Sequence, residues 1–372
     1  MEGGPIISAV RSRIIEREPP SRLDTSYGAA PPTRQHVIVQ LRAGGVIGWG
    51  EASPVPEFTG ETAEGIARAL DTFYLPAVLG RDPSEIVEIL ADLDGVLPGN
   101  PSAKAAIDGA LHDTVGKLTG QPVYRLLGGL RRSEVTLART IGIGPPAQAV
   151  AAAREYVQAG FRTLKLKVGS DARDDVTRVR AVREAVGPDV ALRIDANQGY
   201  DATTALWVLD QLAPCDLEYV EQPLPARDLR GLRLLRRHTP HRLMADEGVS
   251  TSQEALVLAS ERLVDVFSLK LIKTGGLARA GRIAAVAEAA GIDCVVSSPY
   301  ETQIGAAAGL HLAVSLHRAP YAHELTVFLT QPHLAVTDVA LDGTRLRPGT
   351  SAGLGVTQIA ELAGAGAFPQ DR

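Results

Sequence analysis

TLKLKVGSDARDDVTRVRAVREAVGPDVALRIDANQ, residues 163–198, decides the fold. It opens with a short apolar run, Thr163–Val168, continues through an amphipathic helical stretch, Asp171–Val186, and ends in a second run, Ala191–Ala196. Strand, helix and strand in so short a span make a parallel βαβ unit, because parallel neighbours need a crossover connection. The same rhythm extends both ways. Strand-like runs recur at Val135–Ile141, Leu217–Gln222, Leu243–Glu247, Asp265–Leu271, Asp293–Ser298 and Tyr321–Leu325, with helical patterns such as Pro146–Ala159 and Ala278–Ala290 between them. Eight parallel strands fit a closed β/α barrel better than an open sheet, since closure removes the edges. A doubly wound sheet is the alternative. No G-x-G-x-x-G follows any of these strands, which weighs against a dinucleotide site.

Before this region the pattern is different. Ile6–Arg17, His36–Arg42 and Val46–Glu51 read as strands, the last two joined by Gly44-Gly45 as a hairpin turn. Helical patterns follow at Thr62–Leu79, Pro83–Leu97 and Ala103–Thr119, the last with Ser102 as N-cap and Gly120 as the terminating glycine. Strands and then helices make an α+β domain. After Thr330, Val336–Arg347 with Asp342-Gly343 reads as a hairpin returning to that first domain. The expected division is an α+β domain over 1–128, a barrel over 129–330 and a returning segment over 331–372.

Composition excludes several classes. The 372 residues carry a net charge of −5, with 45% hydrophobic and 22% charged residues. That is an ordinary globular balance with no footprint for nucleic acid. Two cysteines, Cys215 and Cys294, cannot build a disulfide framework or a cysteine-rich metal centre. Met1–Pro20 has no apolar signal core, and no run of eighteen apolar residues spans a membrane. The expectation is a cytoplasmic protein with neither nucleic acid nor membrane as partner.

In a β/α barrel, chemistry sits at the C-terminal strand ends. Those ends carry Lys165 and Lys167, Asp195 and Asn197, Glu221, Asp246, Lys270, and Glu324 beside His323, with Glu301 just beyond the seventh run. Positions 167, 195, 221, 246 and 270 are 28, 26, 25 and 24 residues apart, one repeat each, which puts all five at one rim. Lys165 and Lys167 share a strand face, as do Asp195 and Asn197. Three carboxylates converging without a counter-charge are costly to desolvate. A divalent cation resolves this, and an all-oxygen donor set points to Mg²⁺, with Mn²⁺ as the alternative. A lysine becomes a base when a neighbouring cation lowers its pKa, a role that falls to Lys165 beside Lys167. Lysines on facing strands around a bound carboxylate suit abstraction of the proton α to it, with the metal stabilising an enediolate.

Each motif taken singly reads as structure. Lys-x-Lys suits a solvated edge, Asp-Ala-Asn a turn, Glu-Gln-Pro a strand terminus, and Asp246-Glu247 a helix cap. The joint order Lys, Asp, Glu, Asp, Lys carries the functional reading. His112 and Asp113 read as packing or surface residues, Lys104 and Asp108 as an i, i+4 pair, and Lys273 as leaving the barrel interior by strand parity unless the loop redirects it. Two loops rich in Pro, Gly and Ser, Leu23–Pro32 and Ser53–Gly60, are expected to cover the mouth, with Tyr27 and Phe58 as the side chains that meet substrate.

These residues resemble the enolase superfamily, in particular its muconate-lactonizing subgroup. The resemblance rests on Gly48-Trp49-Gly50-Glu51, Ala103–Gly120 with Val123–Gly129, Thr163–Gly169, Arg193–Gln198, Tyr219–Pro223, Ala245–Gly248, Ser268–Gly276 (SLKLIKTGG) and Gly353–Gly355. It implies a capping domain, completed by the C-terminal tail, over a modified (β/α)7β barrel rather than the regular eightfold barrel. It implies metal ligands at Asp195, Glu221 and Asp246, acid–base lysines at Lys167 and Lys270, and Lys165 tuning Lys167. Asn197, Glu301 and Glu324 join Tyr27 and Phe58 as substrate contacts. A His base at the seventh strand paired with an Asp at the sixth, as in mandelate-racemase-like members, is missing, since Asp293–Glu301 holds no His. The expected activity is that of an isomerase on a small carboxylate, with muconate-type cycloisomerisation leading. Racemisation of an N-acylamino acid, epimerisation of a dipeptide and o-succinylbenzoate synthesis are the alternatives, and a ligand-binding barrel without catalysis is the different class. SLKLIKTGG and His323-Glu324-Leu325 resemble muconate cycloisomerases, and the Asp-x-Asp of dipeptide epimerases is lacking. Ser53–Thr62 is more similar to the capping loop of epimerases. Further copies of the chain are expected as partners.

Overall fold

The computed structural model describes residues 4–18, 24–29, 31–329 and 334–359. The first unit is an antiparallel sheet of β1 (Ile7–Arg17), β2 (Arg34–Ala43) and β3 (Val46–Ala52), in that order. One face, with Val37, Val39 and Leu41, is buried with Ala103, Ala106, Ile107 and Ala110 of the Pro101–Thr119 helix. At Gly48 and Gly50 a Cβ would run into the Ala110 and Ala106 carbonyls, so these two positions admit only the bare backbone.

After the short strand β4 (Val135–Thr136), the second unit is a parallel sheet of seven strands in sequential order. These are β5 (Arg139–Ile141), β6 (Thr163–Lys167), β7 (Ala191–Asp195), β8 (Leu217–Glu221), β9 (Leu243–Ala245), β10 (Val266–Leu269) and β11 (Asp293–Val296). The eighth expected run forms no regular strand. It closes the ring through isolated parallel bridges, His323 with Leu137 on one side and Glu324 with Ser297 on the other. The fold is therefore a (β/α)7β-type barrel, and the open doubly wound alternative is excluded. Parity explains the wall. Leu164 and Leu166 of β6 join the large core, while Lys165 and Lys167 take the other face. Full burial of each such leucine contributes about 1.5–3 kcal/mol. The smaller apolar cluster contains Tyr219, Met244, Val266 and Val295.

Four local expectations are corrected. Thr62–Leu79 is two short α-helices, Ala63–Ala69 and Leu75–Val78, joined by a π-turn at Leu70–Tyr74. Pro83–Leu97 becomes helical only from Ile86. Ser102 lies inside the Pro101–Thr119 helix, whose N-cap is Asn100, and its N–H donates to Glu61 at 3.1 Å. Lys104 does not pair with Asp108. It reaches Asp94 at 2.6 Å, while Asp108 accepts the backbone N–H of Leu277 at the head of the Leu277–Ala290 helix.

The tail also differs. The hairpin of β13 (Ala340–Asp342) and β14 (Arg345–Arg347) pairs with β4 rather than with the first sheet, and β12 (Ala335–Thr337) pairs with β15 (Val356–Ile359). The return to the first unit runs through Leu354, whose N–H donates to buried Asp113 at 2.7 Å. Asp113 and His112 are thus interior residues, and Asp113 also accepts from Trp49 N–H and Lys117. Leu23 and Ala30 of the first lid segment, and residues 331–333 and 360–372 of the tail, lie outside the described residues. Among the described residues no helix is long and apolar enough to cross a membrane.

Candidate active site

Register builds the site. Lys167 pairs with Asp195 and Asp195 with Glu221, so three consecutive strand ends stand level. One layer deeper, Lys165 is level with Arg193 and Arg193 with Tyr219. Lys167 donates to Asp195 at 2.6 Å and to Asn197 at 2.7 Å. Lys165 is buried among Glu221 at 3.1 Å, Asp195 at 3.4 Å and Glu324. Burial works to lower the Lys165 pKa, but the three carboxylates outweigh it and hold the ammonium well above its ordinary range. Lys165 is thereby a fixed cation beneath Lys167.

Across the mouth, Lys270 is bound to Asp246, and Phe58 covers it with its ring centroid 4.5 Å from the amine. Lys273 also reaches Asp246, at 2.9 Å, and is buried rather than turned outward. Strand parity fails there because Leu271–Thr274 is a helical turn, in which positions three apart share a face. Burial lowers the Lys273 pKa, whereas Asp246 and Glu221 hold Lys270 above its usual value against the same burial.

Two further residues complete the cluster. Glu247 receives hydrogen bonds from the Tyr27 hydroxyl and from Asn197 Nδ2, the latter at 3.1 Å. Its pKa is raised by burial and by the charges of Asp246 and Asp195. Gln222 accepts the backbone N–H groups of Asp246 at 2.9 Å and Gly248 at 3.0 Å, fixing the loop after β9. Asn197, Gln198 and Gln222 all have positive φ, a conformation that costs energy in non-glycine residues and gathers at functional sites. Glu247 was legible as the neighbour of Asp246. The role of Gln222 had no sequence signal.

Of the expected site residues, Lys165, Lys167, Asp195, Asn197, Glu221 and Glu324 form one hydrogen-bonded network, and the Asp246–Lys270 pair stands beside it with its charges acting on Asp195. Phe58 joins through Lys270. Tyr27 joins through Glu247, and Gln198 also donates to its hydroxyl at 2.7 Å, so its polar end is engaged by protein groups. Glu301 does not join the network. It accepts from Ser298, faces Glu51 at the seam between the two units, and is pushed by burial up to about 7.

The carboxylates do not stand as a ready cage: among the described residues no group of three is placed to share an ion, because lysine ammoniums lie between them. Their chemistry nevertheless fits a hard divalent cation. Glu221 Oε1 is buried without a partner. Burial and the neighbouring charge of Asp195 push Glu221 up to about 8. A dication beside Glu221 would satisfy that orphan oxygen and favour its ionised form.

Residues 11–128 match the mandelate racemase / muconate lactonizing enzyme N-terminal domain, and residues 148–361 match the enolase C-terminal domain-like family. The chain belongs to the mandelate racemase / muconate lactonizing enzyme family. It is 38% identical over 311 residues to an L-Ala-D/L-Glu epimerase of Bacillus subtilis, covering 79% of this chain and 84% of that protein. It is 34% identical over 355 residues to a chloromuconate cycloisomerase of Cupriavidus necator, covering 94% and 96%. A dipeptide epimerase of Enterococcus faecalis, solved with Mg and the dipeptide L-Leu-L-Tyr, superposes with a TM-score of 0.90 at 35% identity over 95% of this chain and 100% of that one.

Proposed function

We propose that this family member moves the proton on the carbon next to a substrate carboxylate, with Lys167 and Lys270 as the two acid–base groups and inversion at that carbon as the net result. The observation behind this reading is the placement of the two amines. They reach one acidic centre from β6 and from the end of β10, each held by its own aspartate. One lysine, as the free amine, takes the α-proton and becomes an ammonium. The other, as an ammonium, returns a proton to the opposite face. Lys165 remains charged and stabilises the negative charge that builds up on the substrate. Asp195, Glu221 and Asp246 would hold Mg²⁺, whose charge stabilises the substrate carboxylate as it becomes more negative.

Glu324 supports a reading of the substrate class. It is the one carboxylate of the eighth run and is already neutralised by Lys165. One oxygen of Glu324 is held by Lys165, only Oε1 is without a partner, and the run has no second acid to share a substrate ammonium, which favours an N-acylated amino acid over a dipeptide with a free amino end. Muconate-type cycloisomerisation is the second reading, favoured by the same engaged Glu324 and by the similarity to chloromuconate cycloisomerase over nearly the whole chain. The test is incubation of the Mg²⁺-loaded protein in D₂O with a panel of N-acylamino acids, dipeptides and cis,cis-muconate, followed by mass spectrometry and polarimetry. Deuterium at the α-carbon with loss of optical rotation supports the proposal. Lactone formation from muconate without α-exchange of amino acids establishes the second reading. A barrel that binds such acids without exchanging any proton would be non-catalytic.

A further inference from the structure

Arg34, at the start of β2, lies outside the lysine–carboxylate network. Its guanidinium stacks 3.1 Å from the ring centroid of Tyr300, and its Nε is buried without a partner. Two routes place it at the mouth. Tyr300 belongs to the loop after β11, two residues beyond Ser298, whose N–H is bonded to the carbonyl of Glu324. The charge of Glu57 is felt at the guanidinium, and Glu57 adjoins Phe58, the residue covering Lys270. Arg34 thus lies at the seam where the first unit meets the loop after β11, close to the segment that carries Phe58. Glu57 is exposed. Tyr300 fixes the plane of the guanidinium and leaves its N–H edge for a ligand.

We propose that Arg34 is a specificity-determining residue that recognises a second anionic group, a carboxylate at the end of the substrate remote from the reacting carbon. This rests on the reading of the site as one for a carboxylate acid, and it narrows the substrate to a dianion. A planar guanidinium held by one face offers the paired N–H edge that matches a carboxylate. A cation shielded from water at a pocket rim discriminates charge more strongly than one in bulk solvent. An N-succinylamino acid and a muconate both meet this requirement, whereas an N-acylamino acid with an apolar acyl group does not.

The experiment compares N-succinyl-L-alanine with N-butanoyl-L-alanine, which are close in shape and differ in the distal carboxylate, and cis,cis-muconate with its monomethyl ester. Binding to the Mg²⁺-loaded protein is measured by calorimetry, so the outcome does not depend on turnover, and α-proton exchange is followed in parallel. The expected result is a preference of tenfold or more for the dianion of at least one pair. That preference should fall to near unity in Arg34→Gln, be partly retained in Arg34→Lys, and widen in Glu57→Gln, where a competing negative charge is removed. Circular dichroism checks the fold of each variant, and Glu57→Gln tests the idea even if Arg34→Gln does not fold. Equal affinity within both pairs, or a preference unchanged by both substitutions, overturns the assignment of Arg34. Binding with the expected preference but no exchange of any α-proton overturns the catalytic reading and leaves the Arg34 assignment standing.

Discussion

Replacing Glu51 by Ala should detach the lid-bearing unit from the barrel. Its fully buried carboxylate accepts from Thr302 N–H at 2.7 Å, the Thr302 hydroxyl at 2.6 Å and Gly305 N–H at 2.8 Å, all at the first turn of the Gln303–Ser315 helix. His36 and the Ser53 hydroxyl, both at 3.0 Å, complete the set from the first unit. Burial works to raise the pKa of Glu51, but the hydrogen bonds and charge of His36 and the Thr302 donors outweigh it and hold the group below its ordinary value. Five donors converge on one carboxylate, and their energies are not additive. Removing one member of a buried charged network costs about 3–5 kcal/mol, a large part of a typical total of about 5–15 kcal/mol. Glu51→Gln keeps the shape but turns an NH₂ toward donors, and about 2 kcal/mol is expected from the unsatisfied groups. Urea unfolding followed by fluorescence measures this, since Trp49 lies in β3 and Trp207 in a helix of the barrel. The Trp49 signal should move to lower urea, ahead of that of Trp207. Ser53 directly precedes the segment that carries Phe58 over Lys270, so turnover should fall as well. A loss below about 1 kcal/mol in Glu51→Ala, with both tryptophan signals unchanged, would refute the view that this carboxylate clasps the two units.

Lys167→Ala and Lys270→Ala should each lower turnover at least about a hundredfold, the low end for a lost acid or base, with circular dichroism unchanged. Wild-type rates in both would sink the two-lysine mechanism. Dialysis against EDTA should abolish activity and Mg²⁺ should restore it; full activity in the metal-free protein would contradict the assignment of Asp195, Glu221 and Asp246. The stability contributed by two buried histidines should decline on acidification below about pH 6.5, the unfolded value for histidine. Burial lowers His311 to about 4 and His323 to about 3, and each Nδ1 accepts a backbone N–H, from Tyr124 and Val296. Because these folded values lie below the unfolded one, the contribution is complete above pH 6.5 and is lost as pH falls toward 4 and then 3. The expected slope is about 1.4 kcal/mol per pH unit for each histidine. Glu221 and Glu301, raised to about 8 and 7, shift stability the opposite way over this range, so the check is the difference in urea midpoint between the protein and His311→Asn from pH 7 to 4; a difference that does not change with pH would speak against it.

The sequence by itself determined the barrel and most of its mouth. Leu164, Lys165, Leu166 and Lys167 alternate between wall and interior, and one charge per repeat places Lys167, Asp195 and Glu221 level with each other, as their register shows. Such readings hold because strand parity and repeat length are local properties of the chain. Tertiary structure decided the rest. Lys273 entered the site because the chain turns helical after Lys270, which no parity rule registers. Glu301 left it because its partner is Ser298, with Glu51 of the other unit facing it. Lys104 exchanged the expected Asp108, one helical turn away, for Asp94 on another helix, and Asp108 became a cap for a barrel helix. Arg34 and Tyr300 lie 266 positions apart (300 − 34), and no spacing in the sequence joins them. Short-range geometry fixes which side chains face inward, whereas the partner of a buried charge is whatever the packing of distant segments brings within hydrogen-bond reach.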